Sequence, residues 1–378
     1  MIMRRLSHPP RANWQTLVEK YGLHFHTVDG QLYWDESASY HFSSSEIDTL
    51  ESATNSLHQM CLETVQQIID DRLFKLFLIP EYFEEYVVSS WVEDQFSLYG
   101  RFDLAYDGLN PPKLLEYNSD TPTSLLEAAV IQWFWLKDLD DRGDQFNSIH
   151  ERLIECWKKN AIKSSYGLHF CATESVVEDY VTVEYLRDTA IQAGLKTNYL
   201  DIQQVGWDRV RNTFVDVPAN PIQNCFKLYP WEWMMREEFA RNIPKGKTQW
   251  IEPAWKVLLS SKSILPLLYE RYPDCPFVLP ASFEPLDVAN QVRKPIYGRE
   301  GANIQVIMDG KVVSETSGPY EQGPFVYQQL APLKQFDGFY PVIGSWVIDG
   351  ESAGIGIREE DSIITKNTSR FVPHQLSN

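Results

Sequence analysis

The stretch GRFDLAYDGLNPPKLLEYNSD, residues 100–120, decides how the rest of the chain is read. Polar and apolar residues alternate on both sides of a central break. Arg101, Asp103 and Ala105 alternate with Phe102, Leu104 and Tyr106, and Leu114, Glu116, Asn118 and Asp120 alternate with Leu115, Tyr117 and Ser119. A period of two belongs to a β-strand, whose side chains point to opposite faces in turn. Arg101 and Asp103 therefore share one face, as do Glu116 and Asn118. Asn110-Pro111-Pro112 breaks the ladder and centres the turn on Leu109–Asn110. Arg101 then lies opposite Asn118, and Asp103 opposite Glu116. Two carboxylates facing each other across strands repel, so positive charge must accompany them. Oxygen donors with one amide favour Mg²⁺ bound together with phosphate. A solvated hairpin face with an Arg–Glu pair explains the same spacing.

With 378 residues, two to three domains are expected. At 43% hydrophobic and 13% aromatic the chain can bury a substantial core. A net charge of −18 and a pI near 4.9 argue against affinity for nucleic acid or anionic membranes. They are compatible with a cationic substrate. The five cysteines (Cys61, Cys156, Cys171, Cys225, Cys275) are scattered without a CxxC pair, so neither a zinc knuckle nor a disulfide framework is indicated. The N-terminal MIMRRLSHPPRANW has basic residues but no apolar segment behind them. No uncharged apolar run approaches the roughly 18 residues of a membrane span. The expected setting is a reducing cytoplasm.

The first third reads as helical. Ser43 and Glu46 form a capping box, and Ile47, Leu50, Leu57, Cys61, Val65 and Ile68 follow at helical spacing. Further helices are expected through PEYFEEYVVSSWVEDQ and from about Thr123 through LLEAAVIQWFWLKDL. In the middle, YGLHFCA, KTNYLDI and QNCFKLYP read as strands, with a helix ending at Gly194 between the first two; this pattern predicts an α/β layer. The last third is one helix, PAWKVLLSSKSILPLLYERYP, followed by strands RKPIYG, NIQVIMDGKVVSE, PFVYQQLAPL, YPVIGSWVIDGESAGIGIRE and SIITKN. Asp-Gly at 309–310, 337–338 and 349–350 signals hairpins. His24 and His26 read as one face of an N-terminal strand. The three parts, 1–165, 166–250 and 251–378, are expected to interlock.

Two further groups carry chemistry. Lys294 ends a strand before a loop with Gly298 and Gly301, whose small residues let backbone N–H groups approach phosphate. A plain hairpin explains the same loop, and neither a P-loop nor a Rossmann fingerprint is present. Lys262 interrupts an apolar helix; it either snorkels to solvent or contacts phosphate. Arg358 ends an alternating strand and could reach the same phosphates or pair with Glu359 or Glu360.

Together these stretches resemble glutathionylspermidine synthase and its synthetase-only relatives, ATP-grasp carboxylate–amine ligases. The likeness is carried in order by GRFDLAYDG…LLEYNSDTPTS, AIQAG, VGWD, PWEW, SSKSILPLL, RKPIYGREGANI, TSG, VYQQL and GIGIRE, from about residue 90 to about 365. It implies a mixed α/β and α+β fold: a helical N-terminal part with the hairpin, a pre-ATP-grasp α/β layer and an ATP-grasp-like nucleotide part. The same likeness implies that Asp103, Glu116 and Asn118 hold two Mg²⁺ ions and that Arg101 stabilises phosphoryl transfer. Lys262, Lys294 and Arg358 would touch ATP phosphates, Gly298 to Ala302 (with Gly301) would close over them, and Gln328, Gln329 and Leu330 would line the adenine pocket. Phe102 belongs to the nucleotide-binding stretch of the hairpin.

The implied reaction has two steps. A substrate carboxylate, such as that of a peptide, takes the γ-phosphoryl group of ATP. An amine, such as a polyamine, then displaces phosphate. Thr121, Thr123 and Ser124 could hold the carboxylate, or could cap the next helix. Glu178 and Asp179 could receive the amine, or form a solvated helix face. In PWEW, Trp231 and Trp233 read as core aromatics, and Glu232 as facing the amine pocket. Glu300 stands where a smaller uncharged residue is expected. The chain has no room for the amidase domain some members carry, so product hydrolysis is not expected. The competing readings are a non-catalytic nucleotide-binding regulator and a phosphotransferase without amine ligation.

Overall fold

A computed structural model describes residues 3–160, 162 and 164–377. Helix α1 (Ser44–Asp70) opens with the Ser43 N–H donating to the Glu46 carboxylate at 2.8 Å, and its predicted apolar face is buried. Helix α2 (Glu81–Val92) follows, and then strands β1 (Tyr99–Ala105) and β2 (Lys113–Asn118). Arg101 pairs with Asn118 and Asp103 with Glu116, as the alternation predicts; below them the register shifts, and Leu104 pairs with Leu114. Leu115 is the extra residue, a β-bulge whose carbonyl is released from the ladder. Phe102, Leu104 and Tyr117 pack into the core with Leu50, Leu57 and Cys61 of α1. That leaves Arg101 and Asp103 on the open face.

The helix predicted from Thr123 begins with a wide turn, Glu127–Ile131, and continues as α3 (Gln132–Leu139). The α/β layer follows: β3 (Leu168–Ala172), α4 (Val177–Gln192), β4 (Thr197–Asp201), β5 (Asn224–Lys227), the short α5 (Trp231–Met234) and β6 (Gln249–Ile251). Its four strands are parallel in the order β6-β5-β3-β4.

The helix predicted over 253–273 is two helices, α6 (Lys256–Ser260) and α7 (Ile264–Arg271). The break falls at Ser261–Lys262–Ser263, where the Lys262 N–H donates to the Ile296 carbonyl at 2.8 Å and the Ser263 hydroxyl to the Leu76 carbonyl at 2.7 Å. Tertiary hydrogen bonds win over helical ones, and Lys262 is aimed inward.

Strands β7 (Ala281–Ser282), β8 (Asn290–Pro295), β9 (Gln305–Met308), β10 (Lys311–Glu315) and β11 (Phe325–Gln329) form an antiparallel sheet in the order β7-β11-β8-β9-β10. The long hairpin β12 (Tyr340–Ile348) and β13 (Glu351–Glu360), with β14 (Arg370–Val372), extends the first hairpin into a second antiparallel sheet, β14-β13-β12-β1-β2. The turns of β9–β10 and β12–β13 are the predicted Asp-Gly pairs, both residues at positive φ. Asp337-Gly338 closes only an isolated bridge between Phe336 and Phe339. SIITKN is not a strand; it forms the connection from β13 to β14 and turns toward the site. His24 and His26 sit in turns rather than on a strand. Among the described residues no helix is long and apolar enough to cross a membrane.

Candidate active site

A cavity of about 430 Å³ lies between the two antiparallel sheets and the edge of the α/β layer. Every residue nominated from the sequence lines it except Phe102, Ser124 and Glu232. Phe102 faces the other way because strand side chains alternate. It is fully buried and stacks on Tyr117, with ring centroids 3.7 Å apart. The Ser124 hydroxyl bonds Tyr33 Oη at 3.1 Å instead of capping a helix. Glu232 lies behind Arg299, to which it is paired. Trp233, predicted to be core, is 43% exposed and lines the cavity mouth.

The hairpin supplies the charged floor. Arg101 donates to both Asp103 oxygens, Nε to Oδ1 at 2.7 Å and Nη2 to Oδ2 at 3.2 Å, and its Nη1 donates to the Thr123 carbonyl at 2.7 Å. Burial works against the guanidinium charge, yet Asp103 and then Glu116 hold Arg101 more firmly protonated than usual. Gly344, opposite Asp103, makes room: a Cβ there would lie 2.9 Å from Arg101 Cδ. Lys262 Nζ donates to Glu116 at 2.8 Å and to the Gly298 carbonyl at 2.7 Å. Lys294 Nζ donates to the Leu115 carbonyl freed by the bulge, at 2.9 Å, and to Gln328 Oε1 at 2.7 Å. Burial, and the nearby Lys262 charge, lower Lys294 to about 8 although Glu116 opposes this. Burial disfavours the charged Glu116 carboxylate, but Lys262 and Lys294 outweigh it and hold that group well below the usual carboxylate range.

Among the described residues no three His, Cys, Asp or Glu side chains converge; the hairpin offers two carboxylates and an amide. Asn118 Nδ2 lies 2.9 Å from Glu116 Oε1 and 3.5 Å from Asp103 Oδ2, so the three side chains reach a common point. This hard, oxygen-rich and incomplete donor set fits Mg²⁺ whose other ligands are water and phosphate oxygens. Arg101, Lys262, Lys294, Arg299 and Arg358 all line the same cavity. In a chain of net charge −18, five cations thus line one cavity, partners that polyphosphate binding requires.

The other walls differ. Val292, Ile304, Val306, Leu330, Val342 and Ile364 form an apolar slot of the kind that receives a flat ring. The N–H groups of Gln329 and Leu330 are already taken by the carbonyls of Pro280 and Asn290, at 2.8 and 3.0 Å. Glu178, Asp179 and Glu300 line an acidic end. Burial, reinforced by Glu178, lifts Asp179 to about 7, and the same two causes raise Glu300. The helix face carrying Glu178 and Asp179 is therefore cavity wall. Sequence reasoning missed Arg299, although it stands in RKPIYGREGANI; an arginine between two loop glycines was the available signal. It also missed Glu127, buried beneath the site, where the Tyr33 hydroxyl donates at 2.7 Å. Nothing in the local pattern marks that residue.

Residues 5–377 match the family described as glutathionylspermidine synthase preATP-grasp. A Haemophilus influenzae protein provisionally named an acid–amine ligase is 42% identical over 361 residues, covering 92% of this chain and 91% of its own. Trypanothione synthetase of Crithidia fasciculata is 30% identical over 402 residues, covering 96% of this chain but 61% of its own. The solved structure of a glutathione synthetase-like effector from Globodera pallida superposes with a TM-score of 0.59 at 9% identity, covering 97% of this chain and 96% of that one. That likeness supports the mixed α/β, ATP-grasp-type fold alone. The chain belongs to the glutathionylspermidine synthase family of carbon–nitrogen ligases.

Proposed function

We propose that the protein uses ATP and Mg²⁺ to activate a substrate carboxylate as an acyl phosphate and joins it to an amine, such as a polyamine. The observation carrying this reading is that one cavity unites a cationic, oxygen-donor floor, an apolar slot and an acidic end. The adenine ring occupies the slot, lined by Gln328, Gln329 and Leu330. Lys262, Lys294 and Arg358 receive phosphates, with Gly298, Gly301 and Ala302 over them. Asp103, Glu116 and Asn118 would hold the two Mg²⁺ ions, which would neutralise charge developing on the phosphoryl oxygens.

The carboxylate oxygen attacks the γ-phosphorus and ADP leaves; the amine nitrogen then attacks the carbonyl carbon and inorganic phosphate leaves. A carboxylate needs no activating base, so positioning and charge neutralisation are the protein's work. Arg101 meets the transferring phosphoryl group. Thr121 and Thr123 lie beside the acid. Glu178 and Asp179 receive the amine as a cation, and Asp179, lifted to about 7, can exchange a proton there. A reducing, cytoplasmic setting belongs to the same proposal, with all five cysteines free thiols.

Phosphate release from Mg·ATP across a matrix of small peptides crossed with amines tests this. Release requiring one acid and one amine together is the expected result. Release with acid alone would favour a phosphotransferase, and nucleotide binding without release for any pair a regulator.

Two further outcomes are expected. Lys294, near 8 in the free protein, becomes fully charged against phosphate, so ATP binding takes up a proton. Calorimetry in buffers of different ionisation enthalpy should show uptake of roughly half a proton at pH 8 and close to none below pH 6.5, and Lys294→Met should abolish it. The same group binds fewer protons folded than unfolded between about 8 and its ordinary 10.5. Its contribution to the ligand-free protein's stability therefore rises as pH rises through that window. Gly301, at φ +69, would drive a Cβ into the Thr365 carbonyl oxygen. Gly301→Ala should displace the loop and weaken Mg·AMPPNP binding about tenfold; unchanged affinity would show that the loop does not cover the nucleotide.

A further inference from the structure

Arg299, Glu232, Asp120 and Lys227 belong to a ring of contacts behind the phosphate end of the cavity. Asp120 follows the hairpin by two residues and is fully buried. Its Oδ1 accepts from Lys227 Nζ at 2.6 Å, and its Oδ2 accepts the backbone N–H of Trp231 at 2.8 Å. Lys227, also fully buried, lies 4.6 Å from the centre of the Trp231 ring. The next residue, Glu232, pairs with Arg299 Nη2, and Arg299 Nη1 donates to Thr121 Oγ1 at 2.8 Å. Thr121 is the chain neighbour of Asp120, so the ring closes. Three segments distant in sequence are tied at one point.

Arg299 and Thr121 line the cavity, whereas Asp120, Lys227 and Glu232 do not. An ion pair removed wholly from water carries a desolvation cost that packed apolar side chains would avoid. What it supplies instead is a directed geometry for the backbone N–H of Trp231, and so for the Glu232 beside it. Arg299 follows Gly298, whose carbonyl holds Lys262, the cation paired with Glu116. Thr121, its other partner, is three residues beyond Asn118. Thr121 and Glu232 engage only two of the five N–H donors of the Arg299 guanidinium, and its buried Nε has no hydrogen-bond partner in the ligand-free protein, so the fork keeps donors for an incoming oxyanion.

We propose that Glu232 and Asp120 are positioning residues that hold Arg299 against the γ-phosphate of the bound nucleotide, a role that rests on the ATP-dependent reading above. Neither touches substrate. Glu232 acts directly on the guanidinium, and Asp120 acts through Lys227 and Trp231.

Calorimetric dissociation constants for Mg·AMPPNP and Mg·ADP test this, because their ratio isolates the γ-phosphate. Arg299→Met should remove about tenfold of the preference for AMPPNP, the worth of a charge-assisted hydrogen bond. Glu232→Gln, and the neutral pair Asp120→Asn with Lys227→Met (which avoids a stranded buried charge), should each remove several-fold while leaving ADP affinity unchanged. In the Arg299→Met background neither should cost anything more, which a merely structural role would not produce. Further losses in that background, or an undiminished preference in Glu232→Gln, would overturn the proposal. A wild-type protein binding both nucleotides equally would overturn it while leaving ATP dependence intact. Binding of neither would overturn the ATP-dependent reading itself, and the proposal with it.

Discussion

Arg101→Lys should lower turnover about a thousandfold while changing ATP affinity less than about threefold, the range an arginine at the transferring phosphoryl group commands. The side chain lies nearly out of solvent and makes three directed hydrogen bonds, two to Asp103 and one to the Thr123 carbonyl. A planar fork can hold that geometry and still present an edge to a third partner; an ammonium group carries the same charge at one point. Lysine thus keeps the electrostatic attraction for nucleotide and loses the orientation needed in the transition state. Steady-state kinetics with a separate nucleotide binding measurement would distinguish the roles. Equal losses in turnover and binding would mean that Arg101 only binds nucleotide.

Glu116→Gln is the second large effect. The Glu116 carboxylate accepts from Lys262 and Asn118, and with Lys294 nearby it stays ionised far below the usual range. An amide of the same shape leaves the two lysines without their shared counter-charge and takes one of two carboxylates from the metal. Turnover should fall about a hundredfold or more, some 3 kcal/mol, and the Mg²⁺ concentration for half-maximal activity should rise. A variant with wild-type Mg²⁺ dependence would remove Glu116 from the metal site. Asp103→Asn addresses the same metal less cleanly. It strips a buried partner from Arg101, a change that typically costs about 3–5 kcal/mol, so lost activity there must be read beside a denaturation curve.

Much of this site was legible because its chemistry is local. Strand alternation alone put Arg101, Asp103, Glu116 and Asn118 on one face in the register observed. The register held only as far as Asp103; the bulge at Leu115, which releases a carbonyl to Lys294, has no local sequence signal. Lys262 shows the same limit. Its apolar neighbours promise an unbroken helix, and only partners contributed by Ile296 and Leu76 explain the break that turns it inward. The Glu232–Arg299–Thr121 contact joins positions 67 and 178 residues apart, so no spacing rule could anticipate it. Trp233 was misplaced for a related reason: α5 is a single turn, and its exposed face belongs to the cavity rather than the core.

Once the phosphate-release matrix has identified an acid, the decisive measurement is the fate of its carboxylate oxygens. With the carboxylate doubly labelled with ¹⁸O, activation as an acyl phosphate followed by amine attack carries one labelled oxygen into the inorganic phosphate. The other stays in the amide. Mass spectrometry of the released phosphate should show one ¹⁸O per molecule in every amine-dependent turnover. Unlabelled phosphate, with both labels still in the acid or the second label of the amide-forming acid lost to water, would contradict activation through the carboxylate.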